Sequence, residues 1–242
     1  MPTRPLTVLD RRSLLKALSL APAFTVAIPA RARVEAQEAG LITPDVCLLQ
    51  PEVTEGPYYL DQSLIRQDIT EGRPGLPLLL RLQVVTADCR PVPGARVDVW
   101  HCDAAGAYSG VEGNGGTFLR GTQPTGADGV AGFRTIFPGW YRGRVTHVHY
   151  KVFLDERTVL TGQVFFADAL AGTIHAEHPA YEARGPQDTP LDRDGIARTA
   201  GSGAIARVEM DAPDGEAVAA LVVGIDRDRP AGGLLERLFG RG

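Results

Sequence analysis

Residues 146–154 read THVHYKVFL. Val148, Tyr150, Val152 and Phe153 are β-branched or aromatic, and no glycine or proline interrupts them, so the run reads as a β-strand. A strand does not need histidines, and His147 and His149 therefore pose the question of what they do. Side chains two residues apart share a strand face, so both imidazoles project the same way and Tyr150 points to the other side. Either the pair decorates a wet face, or it converges on something that takes two nitrogens.

Runs of the same kind recur on both sides of this one. LPLLLRLQVVTAD (76–88), ARVDVWHCD (95–103), VAGFRTIFP (130–138), TVLTGQVFF (158–166), GAIARVEMD (203–211) and AVAALVVGID (217–226) are short, β-rich and separated by turn residues. In ARVDVWHCD, Val97 and Val99 alternate with Asp98 and Trp100, a period of two. Residues 106–129 read as a glycine-rich loop ending in the Asp128-Gly129 turn, and 167–202 as a polar excursion with one or two helical turns. Seven or so strands with close turns and no helix between them predict an all-β protein. The expected architecture is an antiparallel β-sandwich whose long loops carry the site. The expected organisation is a signal peptide over 1–32, an irregular segment over 33–75, the sandwich over 76–228 and a tail over 229–242.

The chain has 242 residues, 44% hydrophobic and 22% charged, with 28 glycines and 18 prolines, which suits one turn-rich domain with a sizeable core. Its N-terminus carries Arg11-Arg12 before Ser-Leu-Leu-Lys, then a mildly apolar run, then Ala30-Arg31-Ala32. Basic, apolar and small-residue regions in that order resemble a twin-arginine export signal with cleavage after Ala32. Loss of residues 1–32 removes five basic groups and one acid and takes the net charge from −4 to −8. An acidic chain with Lys151 as its one remaining lysine argues against nucleic acid or an anionic membrane as partner. Nothing beyond the N-terminus is apolar enough for long enough to span a bilayer. A small-molecule partner is expected, with homo-oligomerisation left open. Cys47, Cys89 and Cys102 allow one disulfide and one free thiol in an exported protein, and spacing does not say which pair forms.

Tyr141 lies six residues before His147, across the turn PGWYRG, and Tyr108 lies in the loop after VDVW. Phenolate is a hard, strongly donating ligand that matches Fe(III) and is wasted on zinc. Two phenolates, two neutral imidazoles and a hydroxide would leave a ferric centre near electroneutral. Singly, each residue has a structural explanation: a tyrosine packs with its hydroxyl bonded, and Arg144 sits in a turn. His101 reads as a satisfied core histidine, His175 and His178 as surface residues, and Cys102 as a small hydrophobe or half a disulfide. Tyr58, Tyr59 and Tyr150 read as pocket or core residues. Taken together, the tyrosines and the H-x-H pair outweigh those explanations.

EGPYY, VDVWHCDAAGAYSG, FRTIFPGWYRGRVTHVHYKVF and TGQVFF, in that order over residues 47–166, resemble the intradiol ring-cleavage dioxygenases, the family of catechol and protocatechuate 3,4-dioxygenases. The resemblance implies a non-haem Fe(III) cofactor held by Tyr108, Tyr141, His147 and His149, with the iron between the two sheets. It implies that Tyr108 stays on the metal while Tyr141 leaves when substrate binds and serves as a base. It further implies that Arg144 stabilises charge on the substrate ring, that Gly56 and Pro57 line the substrate pocket, and that Gln163 is a supporting amide. The implied reaction inserts O₂ into a catechol-type ring and gives a muconate-type dicarboxylate. Two other classes compete. A cupin-type metalloenzyme also uses H-x-H on a strand, but wants a glutamate a few residues on and a later histidine, whereas the first carboxylates here are Asp155 and Glu156. A non-catalytic, exported β-sandwich binding module would be colourless and metal-free.

Overall fold

The β-rich runs form eight strands in the computed structural model, which describes residues 48–111, 113–210 and 215–228. The expected signal over 1–32, Cys47 with the start of the expected irregular segment, and the expected tail over 229–242 lie outside the described residues. The strands are β1 Pro77–Thr86, β2 Arg96–Trp100, β3 Arg120–Pro124, β4 Val130–Ile136, β5 His147–Leu154, β6 Arg157–Phe165, β7 Arg207–Met210 and β8 Ala217–Ile225. They pair as two four-stranded sheets, β4-β1-β8-β7 and β3-β2-β5-β6. The core between them takes alternate residues from each: Leu78, Leu80, Leu82 and Phe133 from the first sheet, Val97, Val99, Val148, Tyr150 and Val152 from the second. This is the expected all-β sandwich.

Three details differ from the sequence reading. β3 lies inside the run taken for a glycine-rich loop, because RGTQP has no alternation of its own and becomes a strand through its pairing with β2. β1 and β8 run parallel, Leu78 opposite Ala217 through Thr86 opposite Ile225, so the sandwich is not wholly antiparallel. β8 is the last strand, and the whole intervening chain serves as the long crossover that a parallel pair requires. The polar excursion holds more helix than one or two turns. α1 spans Asp168–Glu177 and α2 spans Gly195–Ala200, with Asp194 as the N-cap of α2.

The segment from 48 to 75 has no regular element, but it is hydrogen-bonded to four strands, among them β8 through Gln50 N–H to Gly224 O. Thr122 N–H of β3 donates to Leu64 O, Arg134 N–H of β4 donates to Gln67 O, and Val53 N–H donates to Thr161 O of β6. Edge groups that would otherwise be unpaired are thereby satisfied. The same segment crosses the outer face of the second sheet and roofs it. Tyr59 donates to Asp98 Oδ2 at 2.9 Å, and Lys151 pairs with Glu55 beneath that loop. Asp98 and Trp100 are therefore buried although they alternate with core valines. Within the core, the Tyr150 ring lies over Gly162, where any Cβ would collide with it. Cys89 is disulfide-bonded and Cys102 is a free, buried thiol.

Candidate metal centre

β5 turns Val148, Tyr150 and Val152 into the core, so its parity turns His147 and His149 to the outer face of the second sheet. The site therefore lies under the 52–60 roof and not between the sheets, a correction to the expected placement. Trp100, His149 and Gln163 stand abreast on β2, β5 and β6. The Trp100 and His149 rings stack at 4.9 Å with planes 11° apart, which fixes the imidazole orientation.

Both imidazoles are buried. His147 Nδ1 lies 2.6 Å from Val145 O. A carbonyl only accepts, so Nδ1 carries the proton and Nε2 presents a lone pair. His149 Nε2 lies 3.1 Å from that atom. Burial, reinforced by the Arg144 charge, pulls His147 down to about 3. Burial and the neighbouring His147 hold His149 well below the ordinary imidazole value. Both rings are neutral at physiological pH, the form that binds metals.

The two phenols close on this pair. Tyr141 Oη lies 3.3 Å from His147 Nε2. The Tyr108 ring meets the rings of Tyr141 and His149 edge-on, at 5.8 and 6.1 Å between centroids. Tyr108 Oη is buried with no hydrogen bond of regular geometry, although Tyr141 acts on it electrostatically. Burial raises the Tyr108 phenol well above its ordinary value. Burial also raises Tyr141, where the Arg144 charge opposes the shift.

Arg144 is gripped on two sides and open on the third. Its Nε donates to Asp194 Oδ2 at 2.7 Å and its Nη2 to Gln163 Oε1 at 2.6 Å. Its Nη1 then faces Tyr141 Oη at 3.3 Å and His147 Nε2 at 3.5 Å. Gln163 Nε2 donates onward to Thr54 O, which ties the roof to the site. Gly56 has φ +70°, and a Cβ built on it would lie 3.5 Å from His149 Cε1, so the roof backbone runs close to the imidazole. Pro57 is exposed in the same turn.

Of the sequence-predicted residues, Tyr108, Tyr141, Arg144, His147, His149, Gln163 and Gly56 thus come together, and Pro57 is exposed next to Gly56 in the chain. Sequence reasoning missed Asp194; its signal, an aspartate before Gly-Ile-Ala opening a short helix, was visible as a cap and not as a partner of Arg144. Tyr58 proves to stack on Tyr108, with centroids 4.5 Å apart. His101 is buried between Cys102 O and Thr135 Oγ1 as expected. His175 is not a surface residue: α1 buries it against Pro138 O and the Phe137 ring.

Two neutral imidazoles and two phenols make a donor set for a hard, oxophilic trivalent ion, and a metal bond would satisfy the orphaned Tyr108 hydroxyl. A cupin-type site needs a third histidine or a carboxylate among its donors. Among the described residues no group of three or more His, Cys, Asp or Glu side chains is placed to hold a metal.

The dioxygenase family model matches residues 51–173, just over half of the chain and the stretch that holds the roof, both tyrosines, both histidines, Arg144 and Gln163. The chain belongs to the intradiol ring-cleavage dioxygenase family. Catechol 1,2-dioxygenase 1 of Acinetobacter lwoffii is 32% identical over 139 residues, 47% of this chain and 45% of that protein. Chlorocatechol 1,2-dioxygenase of Pseudomonas sp. strain P51 is 31% identical over 134 residues, 46% of this chain and 53% of that protein. The chain thus spans about half the length of these curated relatives. The solved structure of an intradiol ring-cleavage dioxygenase from Tetranychus urticae is 30% identical and superposes with a TM-score of 0.72, covering 77% of this chain and 98% of that one. The dioxygenase domain of a dioxygenase carbohydrate-binding protein fusion from Streptomyces sp. SirexAA-E is also 30% identical, with a TM-score of 0.55 over 74% of this chain and 100% of that one. As in this family, the chain's architecture is an all-β sandwich.

Proposed function

We propose that the protein is a non-haem Fe(III) intradiol dioxygenase that opens a catechol-type ring between its two hydroxylated carbons. Support comes from the convergence of Tyr108, Tyr141, His147 and His149 in a chain of this family. These four residues would hold the metal. Bound there, Fe(III) supplies Lewis acidity that draws electron density from a chelated diol and makes its ring reactive toward O₂.

The protein's own groups do the rest. His147 and His149 are kept neutral by burial and oriented by Val145 O and Trp100. Tyr141 is the less buried of the two phenols and has Arg144 beside it, so its oxygen is suited to take a proton from the incoming diol. The buried Tyr108 has no such outlet and stays in place. Arg144 presents Nη1 toward the reacting centre, where a fixed positive charge favours negative charge developing on a ring carbon. Gly56 lets the roof approach closely enough to limit water over the site. The C–C bond between the oxygenated carbons breaks, both atoms of O₂ enter the product, and a muconate-type diacid results.

The substrate is a small aromatic diol together with O₂. No helix among the described residues is long and apolar enough to cross a membrane. The Arg11-Arg12 signal and the disulfide at Cys89 together support export to an oxidising compartment. The deciding experiment supplies purified, iron-loaded protein with catechol and ¹⁸O₂. The expected product is a diacid carrying label in both carboxyl groups. A yellow semialdehyde, from cleavage beside the diol, or no turnover across a panel of catechols, would refute the assignment.

A further inference from the structure

We infer that Asp194 is the positioning residue for Arg144, aiming its Nη1 at the donor cluster from the N-cap of α2; the inference rests on the function proposed above. Asp194 is 2% exposed, and its carboxylate accepts four hydrogen bonds. Oδ1 takes Ile196 N–H at 2.8 Å and Ala197 N–H at 3.1 Å, the two bonds that start the helix. Oδ2 takes Arg144 Nε at 2.7 Å and Val145 N–H at 3.0 Å.

The two oxygens divide the work. Capping needs one oxygen, and asparagine caps as well as aspartate. The helix therefore explains Oδ1 and, being only six residues long, gives a weak reason for a negative charge. The charge and the second oxygen are explained by Arg144, whose guanidinium is a rigid planar fork. With Nε held by Asp194 and Nη2 by Gln163, the plane of the fork is set and Nη1 can only face Tyr141 and His147. Gln163 alone would leave the guanidinium free to pivot about a single bond. The Val145 contact extends the same control, since the Val145 carbonyl is the group that orients His147. The carboxylate also offsets the Arg144 charge, so a buried cation is tolerated beside a site meant for a metal ion. Burial alone would raise the carboxyl pKa, but the bonds from Arg144, Val145 and Ala197 outweigh it and hold Asp194 below its ordinary value, so it remains charged.

The test is a double-mutant cycle on the iron-loaded protein, with kcat for ring cleavage, iron per chain and Tm measured for each variant. Asp194→Asn keeps the cap and should lower kcat roughly 10- to 100-fold, with iron content and KM within about twofold of wild type. In the Arg144→Ala background the same change should alter kcat by less than about twofold. Guanidinium ion at millimolar concentration should restore part of the turnover of Arg144→Ala, and raise its Tm, but do neither in Arg144→Ala/Asp194→Asn. The Tm arm is independent of catalysis, so it judges Asp194 even if the wild type proves inactive and the functional reading falls. Equal fold losses from Asp194→Asn in both backgrounds would overturn the inference, and so would the same guanidinium response with and without Asp194. If Asp194→Asn yields no folded protein, Asp194→Ser, which also caps helices, carries the same comparison.

Discussion

The Nε2 atoms of His147 and His149 stand 3.1 Å apart, on rings inclined at 73° to one another. Two imidazole nitrogens that close, with the His147 tautomer set by Val145 O, would supply half of the proposed ligand set. His149→Ala should lower bound iron at least about tenfold from about one per chain and abolish the red colour expected of phenolate-to-Fe(III) charge transfer. Metal analysis and visible spectra check this, with Tm as the control for folding. Full iron occupancy in the variant would contradict the ligand assignment.

The two phenols should behave differently. Tyr108 is 3% exposed and stacked under Tyr58, whereas Tyr141 is half-buried and touches Arg144. In Tyr141→Phe the spectrum of the substrate complex should stay close to native, while turnover falls for want of a proton acceptor. In Tyr108→Phe the charge-transfer band should shift with and without substrate. Identical spectra for the two substrate complexes would count against the division of roles.

His101, which is not one of the proposed ligands, gives a pH dependence of its own. Burial takes its pKa from 6.5 to about 4 despite the hydrogen bond to Cys102 O. The unfolded chain takes up a proton below 6.5 that the folded protein refuses until about 4, so stability is complete above 6.5 and falls as pH drops through that window. The loss is about 2 kcal/mol between about pH 6.5 and 5. His101→Gln keeps a polar side chain but cannot titrate, so its stability deficit against wild type should shrink by that amount. Urea unfolding at about pH 7 and about pH 5 measures the change; a constant deficit would show that His101 does not titrate as described.

The proposed export would depend on Arg11 and Arg12, which lie outside the described residues. Replacing Arg11 and Arg12 by lysine should strand the precursor inside the cell if a twin-arginine carrier reads them. Fractionation with an antibody to the protein is the check. Undiminished extracytoplasmic protein would reject this route.

Local sequence determined the parts whose signals are local. Short β-rich runs between turn residues marked β1, β2, β4, β5, β6, β7 and β8, with period-two alternation in β2, and the parity of THVHYKVFL put His147 and His149 on one face with Tyr150 opposite. The order of EGPYY, Tyr108, Tyr141, Arg144 and the histidine pair pointed to the chemistry. What remained hidden depends on residues distant in the chain. β3 carries no alternation and exists because β2 offers it a partner. His175 looks polar in its own segment and is buried because α1 folds onto Phe137 and Pro138. The dryness of the site was hidden too: parity puts the histidines on the outer face, and the 52–60 roof turns a face that would otherwise meet water into a dry one. Asp194 reaches Arg144 across 50 residues of chain. Such contacts are long-range choices among many equivalent aspartates, and only the packed fold, by burying one of them beside the Arg144 guanidinium, selects which one it is.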